Sequence, residues 1–200
     1  MKKIQTLLLT LCLLMAGIEF SSCSSDTVNT DTWGSGVAAM FQNMKGNYSC
    51  YLDMPDNTRK SLNIAISDVT KNSYGTAVQV VDFPIDVILS KLYPNDYQYV
   101  SSVNVDTYES PIDSVGASSS AFLLFKTNND YTENLNFSFV RDGVSHQGWA
   151  KVSVQGVYTY TNNNMTFYFS VNDLVLDDQD KSNLTPILFQ AEGTKTSSTK

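Results

Sequence analysis

Few residues in this chain could do chemistry, and each stands nearly alone. His146 is the single histidine in 200 residues, which excludes a multi-histidine zinc site. A Ser-His-Asp triad would have to use it without a nucleophile elbow anywhere in the sequence. It lies in the alternating segment Val144-Ser145-His146-Gln147 beside a hairpin turn and reads as a strand histidine, satisfied or solvent-facing. Cys50 is the lone cysteine of the predicted domain, where a thiol packs as a small hydrophobe. Asp177, Asp178 and Asp180 crowd the segment LDDQD, and carboxylates at that density suit Ca²⁺. The EF-hand spacing is missing, so a solvated acidic turn is the plainer reading. Asp53, Asp82, Asp106 and Glu133 read as strand-end or exposed residues. A glycosidase pair would need two of them about 5 to 10 Å apart, which no spacing dictates. Gly-rich phosphate loops, dinucleotide fingerprints and Cys-x-x-Cys are absent. The sequence therefore assigns no catalytic group, no cofactor and no metal.

Aromatic residues are the richer resource. Eleven Tyr, ten Phe and two Trp alternate with polar residues through much of the chain, which is β composition. Tyr joins an apolar ring to a polar tip, so a row of them can stack on sugar rings or line a ligand site. Tyr97, Tyr99, Tyr108, Tyr158 and Tyr160 are the candidate contacts of this kind, and Trp149 is predicted to be core. A net charge of -7 and a pI near 4.5 exclude a phosphate-tracking surface, hence a nucleic-acid partner.

The elements that must carry these residues begin with an address. Lys2 and Lys3 precede a leucine-rich run of about a dozen residues, well short of the roughly 20 needed to span a bilayer. Residues 1–22 are thus predicted to be a secretory signal peptide. Phe20-Ser21-Ser22-Cys23 resembles a bacterial lipobox, in which the Cys sulfur is acylated and becomes the first residue of the mature chain. Cys12 leaves with the leader and Cys23 carries lipid, so no internal disulfide can form. Loss of Lys2, Lys3 and Glu19 leaves 11 basic against 19 acidic residues, a charge of -8. Residues 23–35 then form a polar tether, 36–192 a single domain, and 193–200 a frayed tail.

Within the domain, Val37, Met40, Phe41 and Met44 fall at helical spacing before Gly46. Period-two alternation follows, clearest at Leu62, Ile64 and Ile66. A second short helix is predicted over 84–92, with Pro84 in its first turn and Asp82 or Phe83 as cap. A weak strand around Tyr99 to Tyr108 and a loop from Glu109 to Ser118 come next. Short strands then recur at Ala121–Phe125, Leu135–Phe139, Ala150–Val154 and Phe167–Val171, with Gly148 and Gly156 expected at bulges or sharply coiled positions. The fold class is mainly β, an antiparallel barrel or sandwich with one or two short helices.

The FSSC motif, the tether and the opening Met44-Lys45-Gly46-Asn47-Tyr48 resemble small Bacteroidetes-type outer-membrane lipoproteins, some of which have a calycin-like β-barrel. Gly46-x-Tyr48 after a short helix is similar to the Gly-x-Trp opening of lipocalins, with Tyr replacing Trp. Asp26-Thr27-Val28 and Asp113-Ser114-Val115 resemble the O-glycosylation sequon of that phylum, which implies modification at Thr27 and Ser114. The resemblance implies an exported protein held in the outer membrane by lipid such as palmitate on Cys23. The function expected is a non-enzymatic β domain that binds a small apolar ligand or an envelope partner. The alternative is a surface module that captures glycan or protein through exposed aromatics and the 109–118 segment. A stable anchor needs more than one acyl chain, so Cys23→Ala should move the protein from the membrane to the soluble fraction. Fractionation that finds the variant still membrane-bound would overturn the lipobox assignment.

Overall fold

The computed structural model describes residues 35–54, 58–69, 75–119, 121–127 and 133–197. The leader, Cys23, Thr27 and Trp33 lie outside them. In chain order the elements are α1 (Ser35–Met44), β1 (Gly46–Asp53), β2 (Arg59–Val69), β3 (Gly75–Val80), α2 (Asp86–Leu92), β4 (Val100–Val105), β5 (Tyr108–Ser119) and β6 (Phe122–Thr127). They continue with β7 (Leu135–Arg141), β8 (Val144–Thr159), β9 (Asn164–Leu176), β10 (Gln179–Asp180) and β11 (Ile187–Ser197).

Eight strands, β1-β2-β3-β5-β6-β8-β9-β11, follow one another as an antiparallel meander, and β11 returns to pair with β1. The result is a closed up-and-down barrel, compatible with a calycin-like fold. Closure gives each of these eight strands a neighbour on both sides, where an antiparallel sandwich would keep open edges. Strand β8 is sixteen residues long and changes partner along its length. Its residues 155–159 pair with β6, while 144–150 pair with β7. β4 adds to the far side of β7, so β4, β7 and the first half of β8 form a flap that continues the barrel wall outward.

Alternation puts one face of each barrel strand inside, and the inward residues are large. Tyr48 meets Phe167 edge-on at 5.7 Å, and Phe167 also meets Phe125 at 6.2 Å and Phe169 at 6.4 Å. Phe169 stacks on Phe189 at 4.8 Å, and Phe83 touches Phe169, Phe189 and Tyr108 at 5.6 to 5.9 Å. These rings make a continuous aromatic column along the barrel axis. Edge-to-face and offset geometries of this kind add to the free energy of burial itself.

A helix stops each end of the column. At one end Met40, Phe41 and Met44 of α1 are buried, and the Tyr48 hydroxyl donates to the Met44 carbonyl. Lys45 ties that end to Asp68 of β2 at 2.7 Å. At the other end Phe83, Ile85, Val87, Ile88 and Leu89 are buried around α2. Asp86 there takes an ion pair from Lys60 and a hydrogen bond from the Tyr97 hydroxyl at 2.6 Å.

Several expectations change. Residues 109–118 are not a loop: they belong to β5, paired with β3 and β6. Their polar Ser110 and Ser114 are as buried as Ile112 and Val115, which erases the hydropathy alternation, and Pro111 reads as a strand breaker. Residues 193–197 are not frayed but pair with β1, because barrel closure needs a last strand of full length. α2 begins after Ile85 with no side-chain cap, rather than at Asp82 or Phe83. Gly148 and Gly156 mark close approaches rather than bulges. A Cβ at Gly156 would overlap the Phe125 ring, and one at Gly148 would overlap the Val175 carbonyl. The irregular step between β8 and β9 falls at Lys151/Val152 instead.

Two predictions follow from the filled axis and its stoppers. Gly156→Ala forces Phe125 out of its place in the column, and overpacking of this kind costs about 1–3 kcal/mol. Denaturant melts should show that loss, and Phe125→Leu combined with it should cost less than the sum of the two single changes. Burial raises the pKa of Asp86, but hydrogen bonds from Lys60 and Tyr97 and the Lys60 charge outweigh it and hold the carboxyl below 3.8. A carboxyl depressed in the folded state contributes stability above its unfolded pKa and loses it as pH falls through the folded one. The stability gap between wild type and Asp86→Asn should therefore be full at pH 7 and close as the pH drops below about 4. A gap independent of pH would show that the charge on Asp86 contributes nothing.

Candidate functional site

The axis is occupied by rings, and two concave surfaces among the described residues lie on the outer wall. The larger groove, about 700 Å³, crosses β1, β11 and β9 and reaches α2. Its lining follows from register. Tyr51 lies opposite Glu192, which lies opposite Thr166, and Ser49, Thr194 and Asn164 form the next row. These are the outward positions of strands whose inward positions fill the core. Tyr51 is 53 % exposed, with the Arg59 guanidinium 5.8 Å from its ring centre. Arg59 also pairs with Asp53 at 3.0 Å, and Gln190 donates to Glu192 at 3.0 Å. The groove thus sets one exposed ring among charged and amide groups.

A second groove, about 450 Å³, lies where the flap leaves the barrel. Asp106, Asn136, Trp149 and Val175 follow one another across β4, β7, β8 and β9, since the Asp106 amide donates to the Asn136 carbonyl and Trp149 is in register with both Asn136 and Val175. Asn104, Ser138 and Gln147 form the adjoining row. Trp149 is therefore not core as the sequence suggests. Ala150 and Val152 alternate to the inside, and the indole takes the outer, half-buried position. Asp177 bounds this region, accepting from the Gln147 amide at 3.1 Å and holding His146 Nδ1 at 2.6 Å. The hydrogen bond from His146 keeps the Asp177 carboxyl below the ordinary range. His146 is a satisfied strand residue whose ring stacks on Phe139 at 5.1 Å.

The five candidate tyrosines do not come together. Tyr108 and Tyr158 are 2 % and 0 % exposed, with hydroxyls donated to the Val152 carbonyl and the Asn163 side chain, so their rings are structural. Tyr97 is half-buried and committed to Asp86. Tyr99 and Tyr160 are exposed but lie at opposite ends of β8: Val100 pairs with Arg141 beside its start, and Tyr160 follows its last residue. Ser114 is 2 % exposed, so its hydroxyl is not offered for glycosylation on the folded surface. The sequence signal that could have picked Tyr51 and Trp149 is their parity: both alternate with buried neighbours, Cys50 and Leu52 in one case, Ala150 in the other.

Cys50 is fully buried and burial pushes its thiol up to about 12, so it is protonated at neutral pH. Among the described residues no three His, Cys, Asp or Glu side chains cluster as metal ligands, and no helix is long and apolar enough to cross a membrane. Asp177 and Asp178 sit in a tight turn with positive φ, and Asp180 accepts from the Ser182 amide at 2.8 Å. A scan against protein-family models finds no match for the chain. Searches of curated proteins and of solved structures likewise return none.

Proposed function

We propose that this chain is a lipid-anchored envelope protein whose barrel is a rigid binding scaffold, meeting its partner on the outer wall. One observation carries this reading: the aromatic column occupies the axis from α1 to α2. A small barrel either fills its interior with side chains or holds one small ligand there, and this one is filled. Carriage of an apolar ligand would require Phe83, Phe169 and Phe189 to leave their mutual contacts and α2 to lift. The outer grooves need no such rearrangement. Tyr51 is placed as their most exposed ring, and exposed aromatics flanked by polar groups carry a disproportionate share of binding energy in protein contacts.

The reading is tested with the mature protein on an array of envelope glycans and peptides, alongside titration with a fluorescent fatty acid. The expected result is capture by an array member, weakened roughly tenfold or more by Tyr51→Ala, with no stoichiometric uptake of the fatty acid. Saturable one-to-one fatty-acid binding that Tyr51→Ala leaves untouched would overturn it in favour of a lumenal carrier.

A further inference from the structure

The groove at the root of the flap has a different chemistry from the Tyr51 groove, and it points to one ligand class. Its floor holds the Trp149 indole, and around it stand Asn104, Asn136, Gln147 and Ser138. Asp106 and Asp178 lie at its rims, and among the described residues no Lys or Arg lines it. From the geometry we infer that this groove is a binding site for a neutral oligosaccharide. This assignment rests on the reading that ligands meet the outside of the barrel.

Each part of the lining matches a part of a sugar. The indole offers a flat apolar surface with a negative face, on which the C–H face of a pyranose can lie with its positively polarised hydrogens inward. Side-chain amides supply a donor and an acceptor side by side, which is what a hydroxyl-bearing ring needs at its edge, and carboxylates accept from further hydroxyls. Asn136 already donates to Asp106 at 2.9 Å, which holds its amide beside the indole. A site without a cation and with two carboxylates repels sulfated, phosphorylated or uronic-acid ligands.

Two other occupants fit less well. A single cationic side chain would need the carboxylates to converge on it. Asp106 continues β4 while Asp178 follows β9, and with β7 and β8 between them the two lie about three strand spacings apart, roughly 14 Å. A peptide could instead add a strand to β4, the free edge of the flap. Its ladder, however, breaks between Ser101 and Asn104, and Ser102 has φ of 50°, a bulged geometry that blunts an edge against pairing.

The chain holds two tryptophans, so Trp33→Phe leaves Trp149 as the only indole and its emission as the reporter. The mature Trp33→Phe protein is titrated with hexasaccharides of α-glucan, β-glucan, mannan and xylan, and in parallel with oligolysine and a sulfated hexasaccharide. The expected result is a saturable change in emission with at least one neutral sugar, undiminished by raised salt because no ion pair forms. Asn136→Ala and Gln147→Ala, both on the exposed wall, should each weaken it severalfold with unchanged melting temperature, and Tyr160→Ala should not. Silence toward all four neutral sugars, or a salt-sensitive response to oligolysine alone, overturns the assignment. If the sugars are silent while an array partner still depends on Tyr51, only this site fails. If the fatty acid is taken up instead, the outer-wall reading fails with it.

Discussion

Stacked rings along the barrel axis are the constraint on which the rest of this structure depends. An eight-stranded barrel encloses a space that must hold either side chains or a small ligand, and side chains that fill it must pack at interior density. Here Tyr48, Phe125, Phe167, Phe169, Phe189 and Phe83 do so in one connected series. Small residues are placed where the rings need room, as Gly156 is beside Phe125. The two helices are stoppers for this column rather than independent elements, and the polar ties from Lys45 to Asp68 and from Lys60 and Tyr97 to Asp86 keep them seated. A filled axis is also the reason for proposing the outer wall as the surface of recognition.

The flap is the part of the architecture that a plain meander would lack. It exists because β8 is longer than the barrel wall requires, so its first half outruns β6 and pairs with β7 instead. The insertions that carry β4 and β7 then extend the hydrophobic core to Phe137 and Phe139, with Tyr93 edge-on to Phe139 and Arg141 over Tyr93 at 4.3 Å. Gly148 sits at the junction and lets the β9 backbone come close. The Trp149 groove is the outer surface of that same junction, so the feature that departs from a simple barrel is also the one with the most distinct surface chemistry.

Legibility along the sequence followed the contrast between inside and outside. Where one face meets core and the other water, as at Leu62, Ile64 and Ile66, the period is plain and the strand is where the alternation puts it. In β5 both polar and apolar residues are buried, so the contrast vanishes and the segment 109–118 has the hydropathy of a loop. Trp149 is a large ring of the type that suggests core, yet the alternation around it points outward. The end of the last strand is not legible locally because Gly, Thr, Lys and Ser at 193–197 have no local reason to be extended; their pairing with β1 comes from the other end of the chain.

What the sequence determined by itself is the mainly β class, the short helices before Gly46 and after Pro84, and the presence of a single histidine, His146. All of these rest on period, composition and residue type, which are local. Tertiary structure alone decided barrel over sandwich, a filled axis over a cavity, and the gathering of Trp149, Asn136 and Asp106 in one groove. Those outcomes depend on which strands become neighbours, and strand neighbours are set by long-range register that no window of adjacent residues contains.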